Sequence, residues 1–225
     1  MAFGNNSVQF PNESEQYRSA RNELLEAEIA LRDNIEKVAA LRRTLPLGGL
    51  VGDYDFEQIS PQVDGPVSLE SLFSDKHSSL IIYNYMFAPE AENPCPLCTS
   101  FVDGLNGSWP HIAEHVSIAV IAKAPAEKLL RLSQDRKWHN VRLLSSFANS
   151  YQQDYAGETA DGQQMPMMNV FVKRDAKIYH HWASEMLFAP SDWDSRHIDM
   201  QWPLWHFFDL TPEGRGGQRY PQLKY

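Results

Sequence analysis

Cysteine is scarce in this chain: there are two in 225 residues. That excludes a disulfide-stapled scaffold. Positive charge is short as well. Lys and Arg total 20 against 29 for Asp and Glu, giving a formal net charge of −9. Neither a nucleic-acid backbone nor an anionic membrane is expected as a partner. Long apolar runs are missing. The strongest, from Leu80 to Ala88, is broken by Asn84 and falls far short of the roughly 20 residues a bilayer-spanning helix needs. The first residues lack a basic stretch followed by an apolar segment, so no secretory signal is expected and the expected address is the cytoplasm. No Gly-rich phosphate loop, internal repeat or basic patch stands out.

What is present is an ordinary globular composition, with 43% hydrophobic and 22% charged residues. A chain of this size buries a full core without staples. Residues 1–12 read as a polar tail. From Ser14 to about Leu45, apolar residues recur at steps of three and four (Tyr17, Ala20, Leu24, Ala27, Leu31, Ile35, Val38, Leu41, Leu45). This spacing predicts one long helix with a single apolar face. Ser14 or Asn12 is its expected cap, and Pro46 with Gly48 and Gly49 its expected end. The stripe must lie on the body or on a second subunit, so a homodimer through this helix is one of two expectations. Residues 1–46 are therefore expected to be a tail and helical arm. Residues 47–225 are expected to be the main domain, with residues 186–225 as a C-terminal extension.

Within that domain, Val67 to Phe73 reads as a short helix after the turn at Asp64-Gly65-Pro66. Leu80 to Phe87 reads as a strand buried on both faces. Thr99 to Leu105 reads as a helix, Val116 to Ala122 as a second buried strand, and Ala126 to Lys137 as a helix opened by Pro125. Val141 to Leu144 is a short strand. Met168–Val172 and Lys177–His181 flank a turn and read as an antiparallel hairpin. Strands alternating with helices imply a mainly parallel sheet, to which a closing hairpin adds antiparallel strands. The fold class is α/β: a central mixed sheet flanked by helices, in an order that resembles a thioredoxin fold.

The two cysteines stand in Asn93-Pro94-Cys95-Pro96-Leu97-Cys98, between the first buried strand and the helix after it. A helix start carries unpaired N–H groups and partial positive charge, which stabilise a thiolate. Cys95 is thus the expected nucleophile. Pro96 suits the first helical turn because it has no N–H to leave unpaired. Cys98, about one turn inside, is the expected resolving thiol, placed to attack a mixed disulfide on Cys95. Glu90 and Glu92 oppose the thiolate slightly, so the helix start is expected to supply most of the activation. Asn93, Pro94, Pro96 and Leu97 are expected to frame the mouth of the site. Met165-Pro166-Met167, just before the hairpin, is expected to shape a groove for an extended substrate.

Several blocks carry a family resemblance: Tyr17-Arg-Ser-Ala-Arg-Asn-Glu-Leu-Leu25 with Arg42-Arg-Thr-Leu-Pro46, Gly65-Pro-Val-Ser-Leu-Glu-Ser-Leu-Phe73, Tyr83-Asn-Tyr-Met-Phe-Ala-Pro89, the stretch from Cys95 to Gly107, and Phe208-Asp-Leu-Thr-Pro-Glu-Gly-Arg215. In these the chain resembles the bacterial thioredoxin-like family catalogued as domain of unknown function 899, described as predicted dithiol–disulfide oxidoreductases. The resemblance implies a thioredoxin-like fold with an N-terminal helical arm and a redox role for Cys95 and Cys98. It also implies a cis peptide bond before Pro166, facing the cysteines and presenting backbone groups to a substrate strand. The family's His-Thr-Tyr-Ser-Thr-Tyr-like stretch after the hairpin is replaced here by His180-His181-Trp182-Ala-Ser-Glu.

Rival constellations are weaker. His111-Ile-Ala-Glu-His115 fits a zinc-peptidase pattern by letters, but Pro110 and the strand from Val116 leave it barely one helical turn. A copper or zinc carrier without turnover would use Cys95, Cys98, Met165, Met167, Met168, His180 and His181. It is the main alternative, although neighbouring histidines on a strand face opposite ways. A peroxiredoxin loop needs Pro and Thr where Ala88 and Glu92 stand. Trp193, Trp202, Trp205, Phe207 and Phe208 are expected to pack the extension on the sheet rather than wall a cofactor. The expected activity is thiol–disulfide oxidoreduction, with no cofactor, no resident metal, and a disulfide-bearing protein or small thiol as substrate.

Overall fold

The computed structural model describes residues 8–59, 65–192, 194–215 and 220–225. Asp64 of the expected turn, Trp193 of the aromatic cluster and the start of the polar tail lie outside them. The chain divides into two units, Met1–Pro46 and Leu47–Tyr225.

The first unit is built on helix α1 (Glu15–Arg43). Ser14 is the cap: its Oγ accepts the Tyr17 N–H at 3.1 Å, filling one of the helix start's unpaired donors. Arg42 and Arg43 in the last turn complement the negative end of the helix dipole. Thr44 closes it by donating to the Leu41 carbonyl at 2.9 Å. No residue of α1 is buried.

The second unit contains one mixed sheet in the order β2-β1-β5-β4-β3-β6-β7. The strands are β1 (Asp55–Gln58), β2 (Pro66–Ser68), β3 (Ser79–Tyr85), β4 (Ser117–Ala122), β5 (Leu143–Ser145), β6 (Met168–Arg174) and β7 (Lys177–Ala183). β3, β4 and β5 run parallel, joined through helices α2 (Pro96–Ala113) and α3 (Ala126–Arg136). The β6–β7 hairpin adds to β3 antiparallel. Asp175 and Ala176 make its turn at positive φ, which matches the twist of the two strands. This is a thioredoxin-like sheet, extended by the β1–β2 ribbon beside β5.

Period-two alternation divides the core. Tyr83 and Tyr85 of β3 and Ile118, Val120 and Ala122 of β4 face α2, α3 and the C-terminal extension. Leu80, Ile82, Ala119 and Ile121 face the opposite way, against Phe56, Leu72, Tyr151 and Phe171. Both faces of β3 and β4 are covered, which is why their sequences are nearly continuous in apolar residues. Each fully buried aliphatic side chain of this kind contributes about 1.5–3 kcal/mol.

Three expectations are corrected. Val67 to Phe73 is not one helix: Val67 pairs with Phe56 in the β2–β1 ladder, and only Glu70–Leu72 forms a 3-10 turn. β5 begins at Leu143 rather than Val141. The helix after the cysteines runs to Ala113, well past Leu105 and through Gly104, Gly107 and Pro110. Pro110 has no N–H for the Asn106 carbonyl one turn earlier. That carbonyl instead accepts the Asn140 side-chain amide at 3.0 Å, and the Asn106 side chain accepts the Asn140 N–H at 3.1 Å. A side-chain partner thus replaces the missing bond. Phe101, Val102, Leu105 and Trp109 are buried along this helix.

The C-terminal extension carries a short helix (Leu204–Asp209) and packs on the α2 side of the core. Trp202 meets Phe101 edge-on at 6.5 Å, and Trp205 meets Trp202 at 5.5 Å. No described helix is long and apolar enough to cross a membrane.

Candidate active site

β3 delivers the chain to the site and α2 receives it. Cys95 N–H donates to the Met86 carbonyl at 3.1 Å, which ties the loop after β3 to the helix start. Cys95 is the N-cap of α2, and Pro96 is its first helical residue. The Cys95 Sγ accepts the Cys98 N–H at 3.5 Å, in the role an oxygen takes at most caps. The Cys95 carbonyl accepts the Thr99 N–H at 3.0 Å and the Thr99 hydroxyl at 2.8 Å. The hydroxyls of Thr99 and Tyr85 lie 2.7 Å apart, so the first turn is anchored to β3.

Both cysteines are free thiols, Cys95 half-buried and Cys98 buried at 3% exposure. The Cys98 thiol, hydrogen-bonded to Cys95, is the largest influence pulling the Cys95 pKa down to about 6. The N–H groups of Cys98 and Leu97 and the Tyr220 hydroxyl add to it, and burial works against it. The helix start therefore assists and does not dominate, contrary to expectation. Cys98 moves the other way: burial first, then its bond to the Cys95 sulfur, hold its thiol well above the ordinary range. The pair shares its protons unequally, with the negative charge on Cys95 and a proton on Cys98.

A cavity of about 280 Å³ opens beside Cys95. Leu97 and Pro166 line it. Asn93, Pro94, Pro96, Met165 and Met167 do not. Asn93 is exposed and Pro94 is buried. Met167 is 3% exposed and faces away: its Sδ accepts the Ser184 hydroxyl at 3.2 Å, and it borders a separate depression with Tyr155 and His180. The Met167 carbonyl accepts the Asn84 N–H at 2.7 Å, holding this segment against the end of β3. The implied cis bond before Pro166 is also corrected: no peptide among the described residues is cis.

Sequence reasoning missed most of the cavity wall. Met86, Leu187, Ile198 and Tyr220 line it, and Trp202 and Trp205, expected only to pack the extension, line it too. Tyr83 also lines it, with its hydroxyl buried against the Cys98 thiol. The density of Trp and Pro after Met186 was the available signal. The rival metal ligands are dispersed. His180 bonds the Asn169 side chain at 3.0 Å in the second depression, and His111 sits in the last turn of α2. Among the described residues, no three of His, Cys, Asp and Glu gather as a metal site.

Residues 7–225 match the family described as bacterial protein of unknown function, DUF899. The chain belongs to that family. No curated protein matches it. Among solved structures, it is similar to peroxidoxin BcpB from Mycobacterium tuberculosis, with 20% identity and a TM-score of 0.44 over 70% of this chain and 94% of that one. It is similar to AhpC of Enterococcus faecalis, with 8% identity and a TM-score of 0.47 over 61% and 78%. Peroxiredoxin Q of Xanthomonas campestris gives 13% identity and a TM-score of 0.45 over 62% and 85%.

Proposed function

We propose that this member of the DUF899 family is a thiol–disulfide oxidoreductase. The observation that carries the reading is the asymmetry of the two sulfurs. Cys95 caps α2, is pulled down to about 6 and borders an open cavity, whereas Cys98 is buried and held protonated. Only Cys95 is both ionised and reachable by a substrate. Its thiolate attacks one sulfur of a disulfide, forms a mixed disulfide and releases the other half as a thiolate. Cys98 then attacks the Cys95 sulfur, giving a Cys95–Cys98 disulfide and a second released thiol. Two electrons pass to the substrate, and an external dithiol returns them. Pro166 shapes the cavity in which the first attack occurs.

The test is a trap. In Cys98→Ser the mixed disulfide on Cys95 has no resolving thiol, so it should persist and appear as an adduct mass on Cys95. Trapping at position 98 in Cys95→Ser would reverse the roles. Pro166→Ala should slow turnover while leaving the thermal midpoint in place, and an unchanged rate would remove Pro166 from the site. The metal-carrier alternative gains no support, because Met167 and His180 border a different depression from the cysteines.

A further inference from the structure

We infer that the site takes small disulfides bearing an apolar, ring-sized arm, and not the disulfides of folded proteins. This inference rests on the oxidoreductase reading and narrows its substrate. An extended peptide would dock by pairing with the backbone of the residue before Pro166. Those groups are already engaged. The Met165 N–H donates to the Gly157 carbonyl at 2.8 Å, and the Met165 carbonyl accepts the Met167 N–H at 3.0 Å. A peptide strand finds no free N–H there and must compete with Met167 for the carbonyl.

The C-terminal extension forms the remaining wall. It sets Leu187, Ile198, Trp202 and Trp205 against Met86 and Leu97 across about 280 Å³, with Asp194, Arg196, His197 and Asp199 on the same wall. Pockets that bury most of a small organic ligand start near that volume, and they are walled in this way. The wall is pinned. Asp199 is 6% exposed and binds both Arg196 and Arg215, the latter at 2.7 Å. Asp209 binds the same two arginines at 2.9 and 3.2 Å. Arg215 also lies over the Trp205 ring, 5.3 Å from its centre. With the arginines neutralised by Asp199 and Asp209, and Asp194 beside them, the cavity's described residues offer no free positive charge to an anionic substrate, and its apolar side chains are left as the attraction. The buried Tyr83 hydroxyl lies against the Cys98 thiol in the same wall.

In the single turnover, the Cys95 thiolate displaces one arm of R–S–S–R as a thiolate, which takes a proton from water. Cys98 then displaces the second arm and loses its own proton. The fully reduced protein supplies both electrons, so no further reductant is needed to read the step.

The experiment mixes reduced full-length protein with dibenzyl disulfide, bis(2-hydroxyethyl) disulfide or insulin, and follows formation of the Cys95–Cys98 disulfide by quenched mass measurement. Each rate is divided by that of the same oxidant with a free alkyl thiol. The benzyl compound should exceed the hydroxyethyl compound by about tenfold or more, the effect of moving one aromatic ring out of water. Insulin should be the slowest of the three. Leu187→Trp, which fills the cavity from a partly exposed position, should abolish the benzyl preference. The wild-type comparison decides the question even if that variant does not fold. Insulin equal to or faster than dibenzyl disulfide, or no benzyl preference, overturns the inference and leaves the oxidoreductase reading standing. No internal disulfide with any oxidant overturns both.

Discussion

At the scale of single residues, the chemistry rests on where one proton sits. Cys95 is lowered to about 6, chiefly by the Cys98 thiol. Above that pH its charged form dominates, at roughly ten thiolates per thiol at pH 7. Its alkylation by iodoacetamide should therefore rise with a midpoint near pH 6, against about 8.5 for a free cysteine. Cys98→Ala removes the principal donor and should move that midpoint upward. Cys98→Ser keeps a donor and should move it less. A wild-type midpoint above 8 would remove the basis of the mechanism. A second residue-scale constraint lies across the sheet. A Cβ on Gly157 would stand 1.8 Å from the Gln152 Oε1 and 2.3 Å from the Asn84 Nδ2, and both of those side chains are fully buried. Gly157→Ala should cost about 1–3 kcal/mol, read as a lower urea midpoint.

At the scale of elements, α2 shows how tertiary partners extend a helix beyond its local signals. Gly104, Gly107 and Pro110 read as breakers in sequence. They are tolerated because the apolar side chains between them are buried and because Asn140, from the connection before β5, satisfies the Asn106 carbonyl. Asn140→Ala leaves that carbonyl without its amide partner. It should destabilise the protein by about 1 kcal/mol with an unchanged m-value, and no shift in the urea midpoint would dismiss the role of Asn140. The β1–β2 ribbon escaped the sequence reading for a related reason. Val67, Leu69 and Leu72 satisfy a short amphipathic helix by letters, and only pairing with Phe56 decides for a strand.

At the scale of the whole molecule, the C-terminal extension converts an exposed thiol site into a cavity. It is held by apolar burial of Ile198, Trp202 and Trp205 and by the Arg196, Arg215, Asp199 and Asp209 cluster. The extension also carries His197, whose Nδ1 lies 3.2 Å from the Ser184 hydroxyl. Burial holds His197 below the ordinary histidine value, partly offset by Asp194 and Asp199; burial acts likewise on His180. The folded state therefore binds a proton at lower pH than the unfolded chain does. Their contribution to stability is complete above about pH 6.5 and is lost as the pH falls below it. In a Cys95→Ser background, which removes the titrating thiolate, the urea midpoint should drop between pH 7 and 5. His197→Gln should flatten that drop, and an unchanged slope would show that His197 is not its source.

The sequence by itself determined the strands β3 and β4, the long arm, the position of the cysteine pair between strand and helix, and the family. Each is written in short-range periodicity or in contiguous residues, which is where local chemistry leaves a legible trace. The long-range relations were left to the tertiary structure. It spent the backbone of Met165 on Gly157, turned Met167 away from the sulfurs, and brought Trp202, Trp205 and Tyr220 more than 100 residues back to Cys95. No local pattern encodes those contacts, because burial and hydrogen-bond pairing across the chain depend on which surfaces meet, and that is settled only when the whole core closes.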